Sequence, residues 1–144
     1  MGKPGIRIKI PYFHDDKLDH SLFITRIVSD YTGTLSLGGR LIPGVEERLK
    51  KLKEMVENID VLSADSFGTA TGQLAGVPLT PTIYEQNQRH DVLKAKHARE
   101  NVPGQIAAFG NGNNDGPLLD AVREAGGLAV AVDNGEGCSI LAMQ

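Results

Sequence analysis

Tryptophan is absent from this chain, and Cys138 is its one cysteine. A lone cysteine forms no internal disulfide, which excludes a disulfide-stapled scaffold and points to a reducing compartment, the cytoplasm. No apolar run reaches the length of a bilayer span and no secretory leader opens the chain, so no membrane association is expected. An excess of charge is also lacking: the net charge is -3, with acids and bases interleaved. A polyanion-binding surface, and with it a nucleic-acid partner, is therefore not expected. Aromatic residues make up 5% of the chain against 17 glycines, which favours a sheet-and-loop enzyme with tight turns over an aromatic-lined binding module. At 144 residues the chain suits one domain with a real core and leaves little room for a lid.

What is present is an alternation of strand-like and helix-like segments. Ile6-Arg7-Ile8-Lys9-Ile10 alternates strictly and predicts a half-exposed edge strand, while Leu22 to Val28 is more apolar and predicts a central one. The polar turn between them makes the first part a hairpin extension over residues 1–23, ahead of a core over 24–144. His14, Asp15, Asp16, Asp19 and His20 in that turn read as turn residues rather than metal ligands. A Gly-rich connector follows from Leu35 to Gly44. Val45, Leu49, Leu52 and Val56 then recur at helical spacing, with charges on the other side.

Ile59 to Leu62 reads as a short buried strand, Phe67 to Gly76 as a weak helix, Thr82 to Tyr84 as a strand and His90 to Asn101 as a helix stopped before Pro103-Gly104. Gln105 to Phe109 is a strand leading into the loop Gly110 to Gly116. Asp115 is a candidate N-cap, with Leu118, Leu119, Val122 and Ala125 on the inner face of the next helix and Leu128 to Val132 as a last strand. This order predicts an α/β fold: a Rossmann-like parallel sheet with helices on both faces. In such sheets ligands sit outside the carboxyl ends of the strands. The segments Asp30 to Thr34, Ser63 to Asp65 and Gly110 to Asp115 each follow a predicted strand, so all three should converge on one sheet edge.

Those segments hold the parts needed to move a phosphoryl group through a carboxylate: a nucleophile, a divalent cation and fixed donors around the phosphoryl oxygens. Asp30 stands at a strand end before a Thr/Gly turn, where Gly33 permits tight geometry and Thr32 and Thr34 offer hydroxyls. Asp115 and Asn111 can complete a Mg2+ site with Asp30, since Mg2+ takes a few carboxylates plus waters. Ser63 offers a strand-end hydroxyl, and Lys94 or Lys96 offers the cation.

The set Asp30-Tyr31-Thr32-Gly33-Thr34-Leu35, Ser63, Lys94 and Gly110-Asn111-Gly112-Asn113-Asn114-Asp115 resembles the four ordered motifs of the haloacid dehalogenase (HAD) superfamily, over roughly Ile24 to Val132. It is most similar to the small soluble branch that is P-type-ATPase-like. The resemblance implies a Mg2+-dependent phosphohydrolase with Asp30 forming an aspartyl-phosphate. It assigns phosphoryl binding to Thr32, Gly33, Ser63, Ala64 and Lys94, and the metal to Asp30, the Thr32 carbonyl, Asn111 and Asp115. It favours Lys94 over Lys96, implies a small phosphorylated substrate, and leaves no room between the motifs for a cap domain. An open site of that kind, with the N-terminal hairpin as an edge, is compatible with a homo-oligomer.

Two departures from the family pattern bear on turnover. Many HAD phosphatases have an Asp two residues after the nucleophile, acting as general acid and base; here Thr32 stands there, and a hydroxyl does not do that proton work near neutral pH. Good leaving groups, phosphoanhydrides or acyl phosphates, are therefore expected to react best. The last motif commonly reads Gly-Asp-Gly where this chain has Gly110-Asn111-Gly112, which removes one anionic ligand. The rival expectation is a weakly catalytic phosphate- or nucleotide-binding module, or a regulatory subunit.

Overall fold

A two-stranded antiparallel ribbon opens the structure, a computed structural model that describes residues 5–9, 21–64, 69–79, 81–85, 88–111 and 115–132. Its strands are β1 (Ile6–Lys9) and β2 (Ser21–Ile24), with Ile6 opposite Ile24 and Ile8 opposite Leu22. The polar turn from His14 to His20 and the Cys138 region lie outside the described residues. The expected single strand from Leu22 to Val28 is in fact two, divided at Thr25. There the backbone leaves the ribbon: the Thr25 N–H donates to the Gln105 carbonyl (2.9 Å) and its carbonyl accepts the Glu57 N–H (2.7 Å).

β3 (Arg26–Asp30) then becomes the middle strand of a five-stranded sheet. The Gly-rich connector after it is a small hairpin, β4 (Ser36–Leu37) and β5 (Arg40–Leu41), turned on Gly38 and Gly39 at φ 58° and 87°. Positive φ at both central positions is what a two-residue type I′ turn requires, and glycine accepts it without strain. α1 (Val45–Met55) carries Glu46 and Glu47 in its first turn and Lys53 in its last, each placed favourably in the helix dipole. The remaining elements are β6 (Asn58–Ser63), the single turn α2 (Ala70–Gln73), β7 (Thr82–Ile83), α3 (His90–Arg99), a 3-10 turn (Pro103–Gln105), β8 (Ile106–Gly110), α4 (Gly116–Glu124) and β9 (Leu128–Ala131). No helix among the described residues is long and apolar enough to cross a membrane.

The sheet order is β7-β6-β3-β8-β9, and every pairing in it is parallel. Side chains alternate across the strands, so each strand feeds two cores. Ile27, Ile59, Val61 and Ala107 meet Leu49, Val56, Ala70 and Leu74 on the α1 and α2 side. Val28, Leu62, Ile106 and Ala108 meet Ala98, Leu118, Leu119 and Val122 on the α3 and α4 side. The expected inner face of α4 holds for Leu118, Leu119 and Val122 but not for Ala125, which is exposed; Ala121 is buried instead. β9 covers only one flank of β8, so as an edge strand it is partly exposed rather than buried.

Candidate functional site

Register decides which residues share the carboxyl edge of the sheet. Asp30 ends β3 opposite Leu62 of β6, which places Ser63 beside it, while Ser29 pairs with Phe109 of β8, so Gly110 and Asn111 emerge on the other flank. The three predicted segments therefore reach one edge. Asp30 alternates with Ser29 and so faces the α3 and α4 side, together with Val28.

The turn after Asp30 wraps around one carbonyl. Tyr31 O accepts the backbone N–H groups of Thr34 (3.3 Å), Leu35 (3.0 Å) and Ser36 (3.1 Å), and the Ser36 hydroxyl donates to it as well (3.1 Å). Gly33 at φ 75° makes that curl possible. The Tyr31 hydroxyl, fully buried, donates to the Gly39 carbonyl (2.7 Å) and so ties the β4–β5 hairpin to the turn. Thr34 Oγ1 donates to Asp30 Oδ2 (3.3 Å), holding the carboxylate from below.

Lys94 supplies the centre of the site. It is 4% exposed, and its Nζ donates to Asp30 Oδ1 (2.8 Å) and to Asp115 Oδ1 (2.7 Å). Lys96, by contrast, is on the solvent side of α3, 3.8 Å from Glu100 and with its side chain 66% exposed. Burial would push the Lys94 ammonium down, but the Asp30 and Asp115 carboxylates outweigh it and hold it above its ordinary value. Burial pushes the Asp30 carboxyl up to about 6, with the Asp115 carboxylate adding to the rise and Lys94 and Thr34 opposing it. Two carboxylates thus share one ammonium in a dry place, a local surplus of negative charge.

Asp115 sits at the N-cap position of α4, yet its side chain makes no capping bond there. It turns back instead: Oδ2 accepts the Asn111 backbone N–H (3.0 Å) while Oδ1 takes Lys94. Room for it comes from Gly110, where an added Cβ would lie 2.5 Å from Asp115 Cβ and 2.8 Å from its Oδ2. Asn111 is also buried, and its Nδ2 donates to the Gly33 carbonyl (2.9 Å), joining the two loops. Ser63 is buried at the end of β6, with its carbonyl accepting the Tyr84 N–H (2.7 Å); Ala64 follows it, half-buried, and Thr32 is half-buried in the turn. Asp65 and residues 112–114 lie outside the described residues.

Two contributors were not singled out from the sequence, whereas Thr34, expected to offer a hydroxyl, gives it to Asp30. Gly110 belongs to a motif segment, and its small size was the available signal. Tyr31 gave none, because its partner carbonyl is reached only through the hairpin.

No protein-family model matches the chain, and no curated protein does. Solved structures match in shape. The cobalt-bound form of deoxy-D-mannose-octulosonate 8-phosphate phosphatase from Haemophilus influenzae superposes at TM-score 0.50 and 17% identity, over 68% of this chain and 64% of that one, less than two thirds of its length. A protein from Streptomyces avermitilis described as a HAD family hydrolase superposes at TM-score 0.50 and 18% identity, over 83% of this chain and 81% of that one. The chain has the HAD fold. Within that HAD frame Asp30, Lys94, Asp115 and Asn111 stand at the carboxyl edge of the parallel sheet.

The donor set at this HAD-type edge suits a hard divalent cation. Among the described residues no three His, Cys, Asp or Glu side chains cluster as a metal site. What the edge offers is two carboxylates with surplus charge and neutral oxygens from Thr32 and Asn111. Mg2+, which keeps several waters and takes few carboxylates, fits such a set better than a soft metal does.

Proposed function

We propose that the protein is a Mg2+-dependent phosphohydrolase working through an aspartyl-phosphate on Asp30, with a small phosphorylated substrate. The observation that supports it most is the Lys94 ammonium, buried and shared by Asp30 and Asp115 at 2.8 and 2.7 Å. In this reading Asp30, Asp115, the Thr32 carbonyl and the Asn111 amide oxygen hold Mg2+, which when bound neutralises phosphoryl charge and keeps the group in line. Asp30 attacks phosphorus, its Oδ–P bond forms, and the bond from phosphorus to the leaving oxygen breaks with its electron pair on that oxygen. Lys94, Ser63 and the backbone N–H groups of Thr32 and Ala64 stabilise the phosphoryl oxygens, whereas the Gly33 N–H, expected among these donors, is taken by the Ser36 carbonyl (2.9 Å). Water then attacks the same phosphorus, returning the Asp30 carboxylate and releasing inorganic phosphate.

Thr32 neither protonates the leaving oxygen nor takes a proton from that water near neutral pH. The reaction therefore favours leaving groups that depart as stable anions, acyl phosphates and phosphoanhydrides, and the phosphoenzyme turns over slowly. We read the site as uncapped and the setting as cytoplasmic. The Asn111 Nδ2 bond to Gly33 favours a second reading, in which Asn111 braces the two loops instead of binding metal and the protein is a weakly catalytic phosphate-binding module.

Hydrolysis of acetyl phosphate and p-nitrophenyl phosphate, with Mg2+ and with a chelator, tests the proposal. Mg2+-dependent turnover abolished in Asp30→Asn is the expected result. Turnover that survives Asp30→Asn would overturn the mechanism, and phosphate binding without turnover would select the second reading. Alkyl phosphates hydrolysed as fast as acetyl phosphate would remove the argument from Thr32.

A further inference from the structure

Lys94 is not the only polar residue that α3 drives into the sheet. His97 lies three positions on, one turn along the same face, and its Nε2 is 2.8 Å from Asp60 Oδ2 on β6. The same Oδ2 accepts Nη1 of Arg26, the first residue of β3, at 2.7 Å, and Oδ1 accepts Asn58 Nδ2 at 2.6 Å. An acceptor-only carboxylate requires the proton to be on Nε2, so His97 donates. Asp60 is 9% exposed and interrupts the apolar run Ile59 to Leu62 on the side where Leu62 joins the α3 and α4 core. Its cost of burial is offset by three donors from three separate places.

The geometry forms two rungs between helix and sheet. Asp60 pairs with Val28 and Leu62 with Asp30, so along the strands Asp60 lies two residues, about 6.6 Å, below the level of Asp30. His97 lies three residues, about 4.5 Å, beyond Lys94 along α3. The upper rung joins Lys94 to Asp30 and the lower joins His97 to Asp60. α3 packs on α4 through small side chains: its fully buried residues besides Lys94 are Ala95 and Ala98, Val92 is 50% exposed, and the bond from His97 to Asp60 ties it to the sheet below Lys94. A lysine on its flexible stem does not set its own position between two carboxylates.

We propose that Asp60 and His97 are positioning residues that fix α3 along and around its axis so that Lys94 Nζ stays between Asp30 and Asp115. The catalytic consequence rests on the phosphohydrolase reading; the geometric claim stands apart from it. The test measures both. Limited acetylation of the whole protein by acetic anhydride, read by mass spectrometry, gives the reactivity of Lys94 relative to exposed Lys96.

In His97→Ala that ratio should rise about tenfold, and kcat for acetyl phosphate should fall about tenfold with KM little changed, the scale of one hydrogen bond to a charged group. His97→Gln, whose amide can donate to Asp60, should restore both. Leu49→Ala, on the other side of the sheet, should lower the urea midpoint without changing the ratio. An unchanged ratio in His97→Ala, or an equal rise in Leu49→Ala, would overturn the proposal. The labelling pattern with no turnover in any variant would uphold the positioning role and defeat the phosphohydrolase reading alone.

Discussion

Two buried aspartates on the same side of the sheet are treated in opposite ways. Asp60 receives hydrogen bonds from Arg26, His97 and Asn58 and, among the described residues, shares none of them with a second carboxylate. Burial alone would raise its carboxyl, but the His97 and Arg26 donors outweigh it and hold it below its ordinary value. Asp30 must share Lys94 with Asp115, and burial lifts it to about 6. One cluster is neutralised within the fold and stabilises it. The other sets two carboxylates against one ammonium at the carboxyl edge of the sheet, where in the proposed function a cation and a phosphoryl group are received.

The difference can be broken most sharply at Asp30. Asp30→Asn should reduce acetyl phosphate turnover by about 10³-fold or more, since under the proposed mechanism it removes the nucleophile itself. Its urea midpoint near pH 8 should stay level or rise, because a repelled carboxylate is gone. A large fall in the midpoint would show that the ionised Asp30 stabilises the fold. Asp60→Ala should do the reverse to stability, with a loss of about 2 kcal/mol in urea unfolding as Arg26 and His97 lose their partner.

Gly110→Ala comes next. The added methyl would press on the Asp115 carboxylate, so a stability loss of about 1–2 kcal/mol is expected together with weakened Mg2+ binding by calorimetry. Wild-type Mg2+ affinity in this variant would show that Asp115 relaxes freely and that the space at Gly110 is not needed.

The smallest effect is on pH dependence, where the two aspartates have opposite signs. In metal-free protein the raised Asp30 makes stability fall as pH rises from its unfolded value of 3.8 toward about 6, because the folded state gives up its proton later. The lowered Asp60 contributes stability that is present above 3.8 and lost as pH falls through its folded value. Urea midpoints across pH 2 to 8 should therefore lose the upper slope in Asp30→Asn and the acid slope in Asp60→Asn. An upper slope that persists in Asp30→Asn would assign it to another group.

Much of this was legible because parallel sheets leave strong local marks. Apolar strands, helical periodicity and Gly/Pro breaks located β3, β6, β8, α1, α3 and α4, and each motif segment followed a strand. The β4–β5 hairpin was also marked, by Gly38-Gly39, though the stretch reads at first as a connector. The split at Thr25 was not, since a ribbon strand and a sheet strand have the same apolar alternation until long-range partners separate them.

By itself, then, the sequence determined the alternation of strand and helix, the carboxylate at the end of β3, the loop at the end of β8 and the threonine standing where an acid is common. These are local properties of residue type and spacing. The tertiary structure brought Lys94, which the family resemblance already favoured over Lys96, between Asp30 and Asp115, and it alone decided that Asp115 turns away from its helix to meet it and that Asp60 reaches His97. Each of those depends on which residues distant in the chain are brought to hydrogen-bonding distance, and on the exclusion of water that makes their charges count.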